Sequence, residues 1–459
     1  MRSARDVRSV GVASVGPASV RAAAVGAIVT AGLLVSLPAQ AAAATTAALG
    51  RTLPLATVAP FVLLLLAIAV LPLVAGHWWE RNGNKALVAL LLGVPTACYI
   101  GLKDYHVVLY ALHEYASFIA LLGALYVISG GLLLEGDLVA RPAVNLSFLA
   151  IGAVLANVIG TTGAAMLLIR PLLRTNAGRE HVWHIPVFFI FVVANIGGML
   201  TPLGDPPLFL GYLRGVPFAW TLRLLPIWAL AVGCVLLVFY LWDRRAYARE
   251  PAAALARDER EQVPLRLRGQ GNLGLLVLVI ASVFSPAPWR ELLLVALALV
   301  SLRFTPRALR LANGFTLQPI IEVAVLFAGI FLAMIPALEI LRARGGELGL
   351  SQPWQFFWVT GALSSVLDNA PTYVSFLSLA QGLGLRAEVV GVPHLLLEAI
   401  AAGAVLMGAN SYIGNGPNFM VRAIAEQSGV RMPHFFGYML LAALVLWPIF
   451  GLVTLVFFR

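Results

Sequence analysis

Charge is scarce in this sequence. Only 11% of its 459 residues are Asp, Glu, Lys or Arg, and 60% are hydrophobic. A soluble domain carries roughly a quarter charged residues, so an ordinary water-soluble globule is excluded. Cysteine is scarcer still. The two present, Cys98 and Cys234, both lie inside apolar runs. That excludes a disulfide framework and a cysteine metal site, and both read as small core residues. The seven histidines stand near the ends of apolar runs, at no zinc-ligand spacing, and read as surface groups. There is no His-Glu-x-x-His stretch and no Gly-x-Ser-x-Gly elbow. A membrane-embedded hydrolase would therefore lack its metal or its nucleophile. The net charge of +10 does not point to nucleic acid, because the basic residues lie between apolar segments, as positive-inside topology requires.

What is present is apolar sequence, run after run, long enough to cross a bilayer. Spans are expected at about 54–75, 86–102, 109–134, 184–210 and 221–242, with a broken apolar pair at about 143–173. The pattern returns at about 271–285, 290–303, 316–341, 393–420 and 435–457, with a broken pair at about 352–384. The expected fold class is an all-α polytopic membrane protein of two inverted repeats. Each repeat has five transmembrane helices, a re-entrant hairpin and an unwound helix. Residues 1–44 form a leader, 45–242 repeat 1, 243–270 a cytoplasmic linker and 271–459 repeat 2. In the leader, Arg2, Arg5, Arg8 and Arg21 precede the apolar run 22–37, and Ala39-Gln40-Ala41 follows. It reads either as a cleaved signal peptide or as an extra helix. Arg170, Arg174, Arg179, Arg303, Arg307, Arg310 and the arginine-rich linker fall on one face, which should be cytoplasmic.

The repeat is written in short motifs. Gly198, Thr201, Leu203, Gly204, Asp205, Pro207 and Phe209 match Gly408, Ser411, Ile413, Gly414, Asn415, Pro417 and Phe419 at one offset of 210. The broken pairs match at 208, with "NVIGTT" from Asn157 over "SVLDNA" from Ser365. Glycine and proline interrupt the helical ladder. In lipid such a break survives only where protein or a water-filled cavity surrounds it. There, free carbonyls coordinate cations and helix N-termini face anions. The candidate binding residues are Asp205, Asp368, Asn369, Thr201, Gly204, Asn195, Asn157, Thr161, Thr162, Asn410, Ser411 and Asn415. A sodium ion, which prefers hard oxygen ligands, is expected at Asp205, Asp368 and Asn369. Glu322 and Glu398, in otherwise apolar runs, are candidates for a proton relay or for helix-end groups that reach water. His113-Glu114 opens the third span and could sense pH.

The stretches "ANIGGMLTPLGDPPLFLGYLRGVPF", "SSVLDNAPT" and "GANSYIGNGPNFM" resemble the ion transporter superfamily over about residues 50–459. That superfamily includes D-type sodium/proton antiporters, arsenite permeases and sodium-coupled carboxylate transporters. The resemblance is nearest to a bacterial branch labelled sodium:proton antiporter or citrate transporter. It implies two repeats meeting at a central site, a homodimer, elevator-type movement and a place in the bacterial inner membrane as a multi-pass protein. It also implies roles for Asp368-Asn369 on the second hairpin and Asp205 in the unwound helix of the first repeat. The sequence departs from the antiporter pattern at Gly160, which stands where a first-hairpin acid is expected. It departs from the carboxylate-transporter pattern at both tips, which lack Ser-Asn-Thr.

With two aspartates and no lysine or arginine inside the site motifs, exchange of Na⁺ or Li⁺ for H⁺ is the favoured function. Cation-coupled transport of citrate or a dicarboxylate is the alternative. No cofactor is expected beyond the transported Na⁺ and H⁺. The partners expected are a small ion or carboxylate and the lipid bilayer, with no nucleic acid.

Overall fold

The structure is a computed structural model and describes residues 49–251, 263–386 and 388–459. The expected leader and residues 252–262 of the expected linker lie outside these. Helices α1 (Ala59–Val74), α2 (Asn82–Gly101) and α3 (Tyr105–Ser129) precede strand β1 (Leu133–Asp137). Then follow α4 (Pro142–Thr175), α5 (His184–Val192), α6 (Pro206–Leu213) and α7 (Leu225–Tyr247). Strand β2 (Val263–Arg268) leads to α8 (Gly271–Val283), α9 (Trp289–Phe304), α10 (Gln318–Ala333) and α11 (Ile335–Arg344). The chain ends with α12 (Pro353–Ser364), α13 (Asn369–Gln381), α14 (His394–Met407), α15 (Gly416–Gln427) and α16 (Phe435–Phe457).

Among the described residues, six helices are long and apolar enough to cross a membrane, and a seventh span counts if the bent α10–α11 pair is one. Leu63 and Leu91 on the early helices and Phe436 and Leu444 on α16 are 53–71% exposed. Such faces belong in hydrocarbon, not water. The protein is an all-α polytopic membrane protein.

The interior is built the other way round. Every residue of α5 is buried, and α14 is buried from Leu396 to Met407 except for Glu398. A helix that is apolar on all faces must sit inside the bundle. Both helices stop short of a full span, at a 3₁₀ turn, and the chain restarts as a second helix at Pro206 and at Gly416. The restart points differ by 210 residues, as do both ends of α7 and α16.

Helix α4 contains 34 residues, yet its two ends meet. The side-chain amides of Asn145 and Asn176 hydrogen-bond each other reciprocally at 2.9 and 2.7 Å. A straight helix of that length would hold its ends about 50 Å apart. The fold-back occurs at Gly160, whose φ of +76° and ψ of 156° break the helix. A side chain there would be strained and would crowd the Leu203 carbonyl. The corresponding unit in the second half is α12 and α13, packed together and joined by residues 365–368.

Some expectations are corrected. The third span ends at Ser129, not near 134, because Gly130-Gly131 release the chain into β1. The 243–270 stretch is not simply a loop. Helix α7 runs to Tyr247, and β2 pairs antiparallel with β1, Leu133 opposite Arg268. Cys98 is exposed and Cys234 half-buried, so neither is a core residue. His184 is buried rather than superficial, and bonds Asp243 at 3.0 Å.

Candidate transport site

Asp205 stands where the two broken helices and the two hairpin tips meet. It is the N-cap of α6, with an extended backbone of φ −142° and ψ 144°. Pro206 and Pro207 follow at the first helical positions, where a missing N–H is harmless. Asn415 caps α15 in the same conformation, φ −153° and ψ 141°, followed by Gly416 and Pro417. The prolines therefore start helices in the protein interior and do not interrupt one. The turn before each cap is tight. A methyl group on Gly204 would collide with the Gly198 carbonyl, and one on Gly414 with the Gly408 carbonyl.

Asp205 is 1% exposed, and three neutral donors from three elements hold its carboxylate. Oδ1 accepts from Thr161 Oγ1 at 3.1 Å and from Asn415 Nδ2 at 2.9 Å. Oδ2 accepts from Asn369 Nδ2 at 2.6 Å. The N-termini of α6, α13 and α15, together with the second arm of α4, are thus brought to one carboxylate, and each end favours negative charge. Among the described residues, no lysine, arginine or histidine within hydrogen-bonding distance answers that charge.

The support behind these donors is duplicated. Asn157 Nδ2 donates to the Ala153 and Gly197 carbonyls at 2.9 and 2.7 Å, and its Oδ1 accepts from the Leu200 N–H at 2.7 Å. Ser365 occupies the matching place. Its hydroxyl donates to the Gly361 and Met407 carbonyls at 2.8 and 3.2 Å and accepts from Asn410 Nδ2 at 2.8 Å. Thr201 donates to the Asn157 carbonyl. Ser411 Oγ accepts from the Ile413 and Gly414 N–H groups at 3.2 and 3.1 Å and closes the turn locally. The Thr161 N–H ties the first tip to the Gly204 carbonyl at 2.8 Å.

Not every candidate reaches the centre. Asp368 is half-buried and caps α13 through the Ala370 N–H at 3.0 Å; it does not bond Asp205. Thr162 is half-buried and stands outside the set around Asp205. Glu322 pairs with Lys85 at 2.6 Å and Glu398 with Arg223 at 2.8 Å, both away from Asp205. One central residue escapes sequence reasoning. Asn418 accepts from Asn195 Nδ2 at 2.6 Å and donates to the Gly408 and Ser411 carbonyls, bridging the two halves. Its only signal is a polar residue where the first repeat has Leu208.

Around the Asp205 centre, among the described residues, the buried amide oxygens of Asn195, Asn369 and Asn410 have no partner. Two of these amides lie against Gly408. A methyl group on Gly408 would stand 3.2 Å from Asn195 Oδ1, 3.3 Å from the Gly414 carbonyl oxygen and 3.6 Å from Asn369 Nδ2. Rotation of the Asn369 amide would bring its free oxygen to the same place. Hard oxygens close to a carboxylate are the ligand type a small alkali cation prefers.

Residues 50–458 match the family described as "Putative citrate transport". The chain belongs to that family. No curated protein matches it. Membership in a transport family gives the membrane fold its role.

Proposed function

We propose that this protein is a cation-coupled carrier of citrate or a related polycarboxylate. In this reading, the two halves are inverted repeats and the folded-back units α4 and α12–α13 are re-entrant hairpins. The site lies between their tips, in the inner membrane of a bacterium, in a homodimer. The observation that carries the reading is Asp205, a buried carboxylate with three neutral donors and, among the described residues, no cationic partner. A second carboxylate brought within about 6 Å would be repelled by roughly 3 kcal/mol at an effective dielectric of about 20. That is about a hundredfold in affinity. A polycarboxylate can therefore dock only together with positive charge, which makes substrate binding conditional on Na⁺ or H⁺. Coupling follows from electrostatics, without a separate gate.

Asn369 suits both ions. With Asp205 ionised, the Asn369 amide donates to Oδ2. With Asp205 protonated on Oδ2, the amide turns over and its free oxygen accepts the new O–H. Thr161 and Asn415 keep Oδ1 in either state. Asp368, half-buried on the second tip, is placed to meet the cation as it enters.

The same carboxylate would serve exchange of Na⁺ for H⁺ without citrate, because the two ions compete for Asp205. Proteoliposomes with an internal pH dye and labelled citrate separate the readings. Labelled citrate entering only with an inward Na⁺ or H⁺ gradient is the expected result. A pH change driven by Na⁺ or Li⁺ alone, with no citrate entry, would replace carboxylate transport by antiport.

A further inference from the structure

Helix α6 has a second charged end. Its N-cap is Asp205 and its C-cap is Arg214. Eight helical residues separate them, a rigid rod about 12 Å long. Arg214 is buried, and its Nη2 pairs with Glu114 Oε2 on α3 at 2.8 Å. The side chains of Arg214 and Glu114 are 8% and 3% exposed. Glu339 on α11, 6% exposed, lies within the field of Arg214 and approaches Arg342 only at 3.6 Å. Tyr110 stands one turn before Glu114 on α3, Asp104 caps α3, and Tyr373 of α13 packs over Gly211 of α6.

The cluster is incompletely satisfied. Arg214 Nε, Glu114 Oε1 and Glu339 Oε2 are all buried without a partner. A purely structural ion pair is expected to use its remaining donors and acceptors, because leaving them dry is destabilising. Here the guanidinium makes a full bond to one carboxylate, Glu114, while Glu339 makes only the long approach to Arg342. The three elements involved are the broken helix that carries Asp205, the long helix α3 and the bent helix α11.

We propose that Glu114, Arg214 and Glu339 form a second, proton-binding site, mechanically tied to the Asp205 site through α6. A proton taken up by the cluster cancels one of its two carboxylate charges, and Arg214 shifts towards the carboxylate left charged. Helix α6 moves with it and shifts the Asp205 cap. Return of the proton to water restores the Glu114 pair. Transport and proton movement are thereby coupled at a place the substrate does not touch. The transport part of this inference rests on the carboxylate reading above; the proton-binding part does not.

Two measurements test it. In proteoliposomes, Glu114→Gln should leave labelled-citrate exchange across a pH-balanced membrane intact. It should lower pH-gradient-driven accumulation by about tenfold, the scale of an ordinary coupling free energy, and flatten the pH profile. The double variant Glu114→Gln/Arg214→Gln removes both buried charges, stands in if the single variant fails to fold, and should show the same split. Native gradient-driven accumulation in either variant overturns the proposal. The second measurement is the pH-induced infrared difference spectrum of the purified protein, which needs no substrate. A protonated-carboxyl band lost in Glu114→Gln or Glu339→Gln, but kept in Asp205→Asn, supports the site. A band lost only in Asp205→Asn overturns it. If the unmodified protein carries no citrate, the carboxylate reading fails while the infrared result still decides the cluster.

Discussion

The two halves of the molecule build the same frame and fill it differently. In each, a largely buried helix stops at a 3₁₀ turn, a glycine pair closes the turn, and a capped helix restarts. In each, a hairpin residue ties the turn from behind, Asn157 in one half and Ser365 in the other. The first half places an acid at the cap and a glycine-threonine tip against it. The second places an amide at the cap and Asp368-Asn369 on its tip. The outcome is one carboxylate served by donors from both halves. Two facing carboxylates would have to share a proton or a cation at all times; one can be bare, protonated or cation-bound. In the proposed function, that asymmetry would allow a coupled cycle.

Moving the acid is the most direct way to break that comparison. Asp205→Asn should lower citrate uptake by about a hundredfold or more, since it removes the charge that three charge-assisted hydrogen bonds recognise. Asp205→Asn/Asn415→Asp carries the charge to the other cap, still within reach of the tips. If the caps are equivalent, uptake should return to within about tenfold of native. No recovery would show that the halves differ in more than the placement of one acid.

The tips come next. Asn369 bonds Asp205 at 2.6 Å and also has a free oxygen, whereas Thr161 bonds at 3.1 Å and offers only a hydroxyl. Asn369→Ala should therefore reduce uptake by about tenfold to a hundredfold, and Thr161→Val by only about threefold to tenfold. Equal losses would argue that the second tip has no special part in exchanging proton and cation.

Matched glycines sharpen the comparison at smaller scale. Gly408→Ala places a methyl group against Asn195 and Asn369. It should raise the Na⁺ concentration needed for half-maximal uptake by about tenfold and leave the melting temperature unchanged. In Gly198→Ala the added carbon would stand 2.6 Å from Thr161 Cγ2 and 2.8 Å from the Gly204 carbonyl oxygen. That variant should lower the melting temperature by several degrees with little change in cation requirement. The same response at both positions would place no cation at Gly408.

Much of this was legible in the sequence, for a physical reason. Glycine, proline and a polar residue cannot sit in hydrocarbon without a purpose, so the breaks at 195–207 and 408–417 stood out, and their common offset tied them together. The helix restarts at Pro206 and Gly416 follow from the same signal. Contacts between distant residues were not legible. Asn195 and Asn418 are 223 positions apart, and Arg214 and Glu114 are 100 apart. No local pattern says which buried polar groups will meet. Strand β1 was hidden as well, because "LLLEGD" continues the hydropathy of α3 and only its partner Val263–Arg268 makes it a strand.

The hairpin bases differ as much as the tips, and here the expected effect is smallest. At the base of α4, Asn145, Asn176, Arg179 and Asp243 form one buried hydrogen-bonded cluster. Glu250, beyond the end of α7, completes it by accepting from the N–H groups of Glu180 and His181 at 2.9 Å each. Near the C-terminal end of α13, Arg342 reaches Gln381 at 3.2 Å. The first folded-back unit has a buried polar cluster at its base, and the second has the longer Arg342–Gln381 contact there. Glu250 makes this testable by pH. Burial alone would raise its carboxyl, but the two N–H groups and Arg179 outweigh burial and hold it below the ordinary value of 4.5. A group depressed in the folded state stabilises fully above its unfolded value, and that contribution disappears as pH falls through the folded value. Thermal melts of the native protein should therefore lose stability as pH drops below about 4.5, and Glu250→Gln should remove part of that dependence. Its melting temperature should fall slightly near neutral pH and converge on native in acid. An unchanged slope would mean that the base of the first hairpin is held by Asp243 and the asparagine pair without help from Glu250.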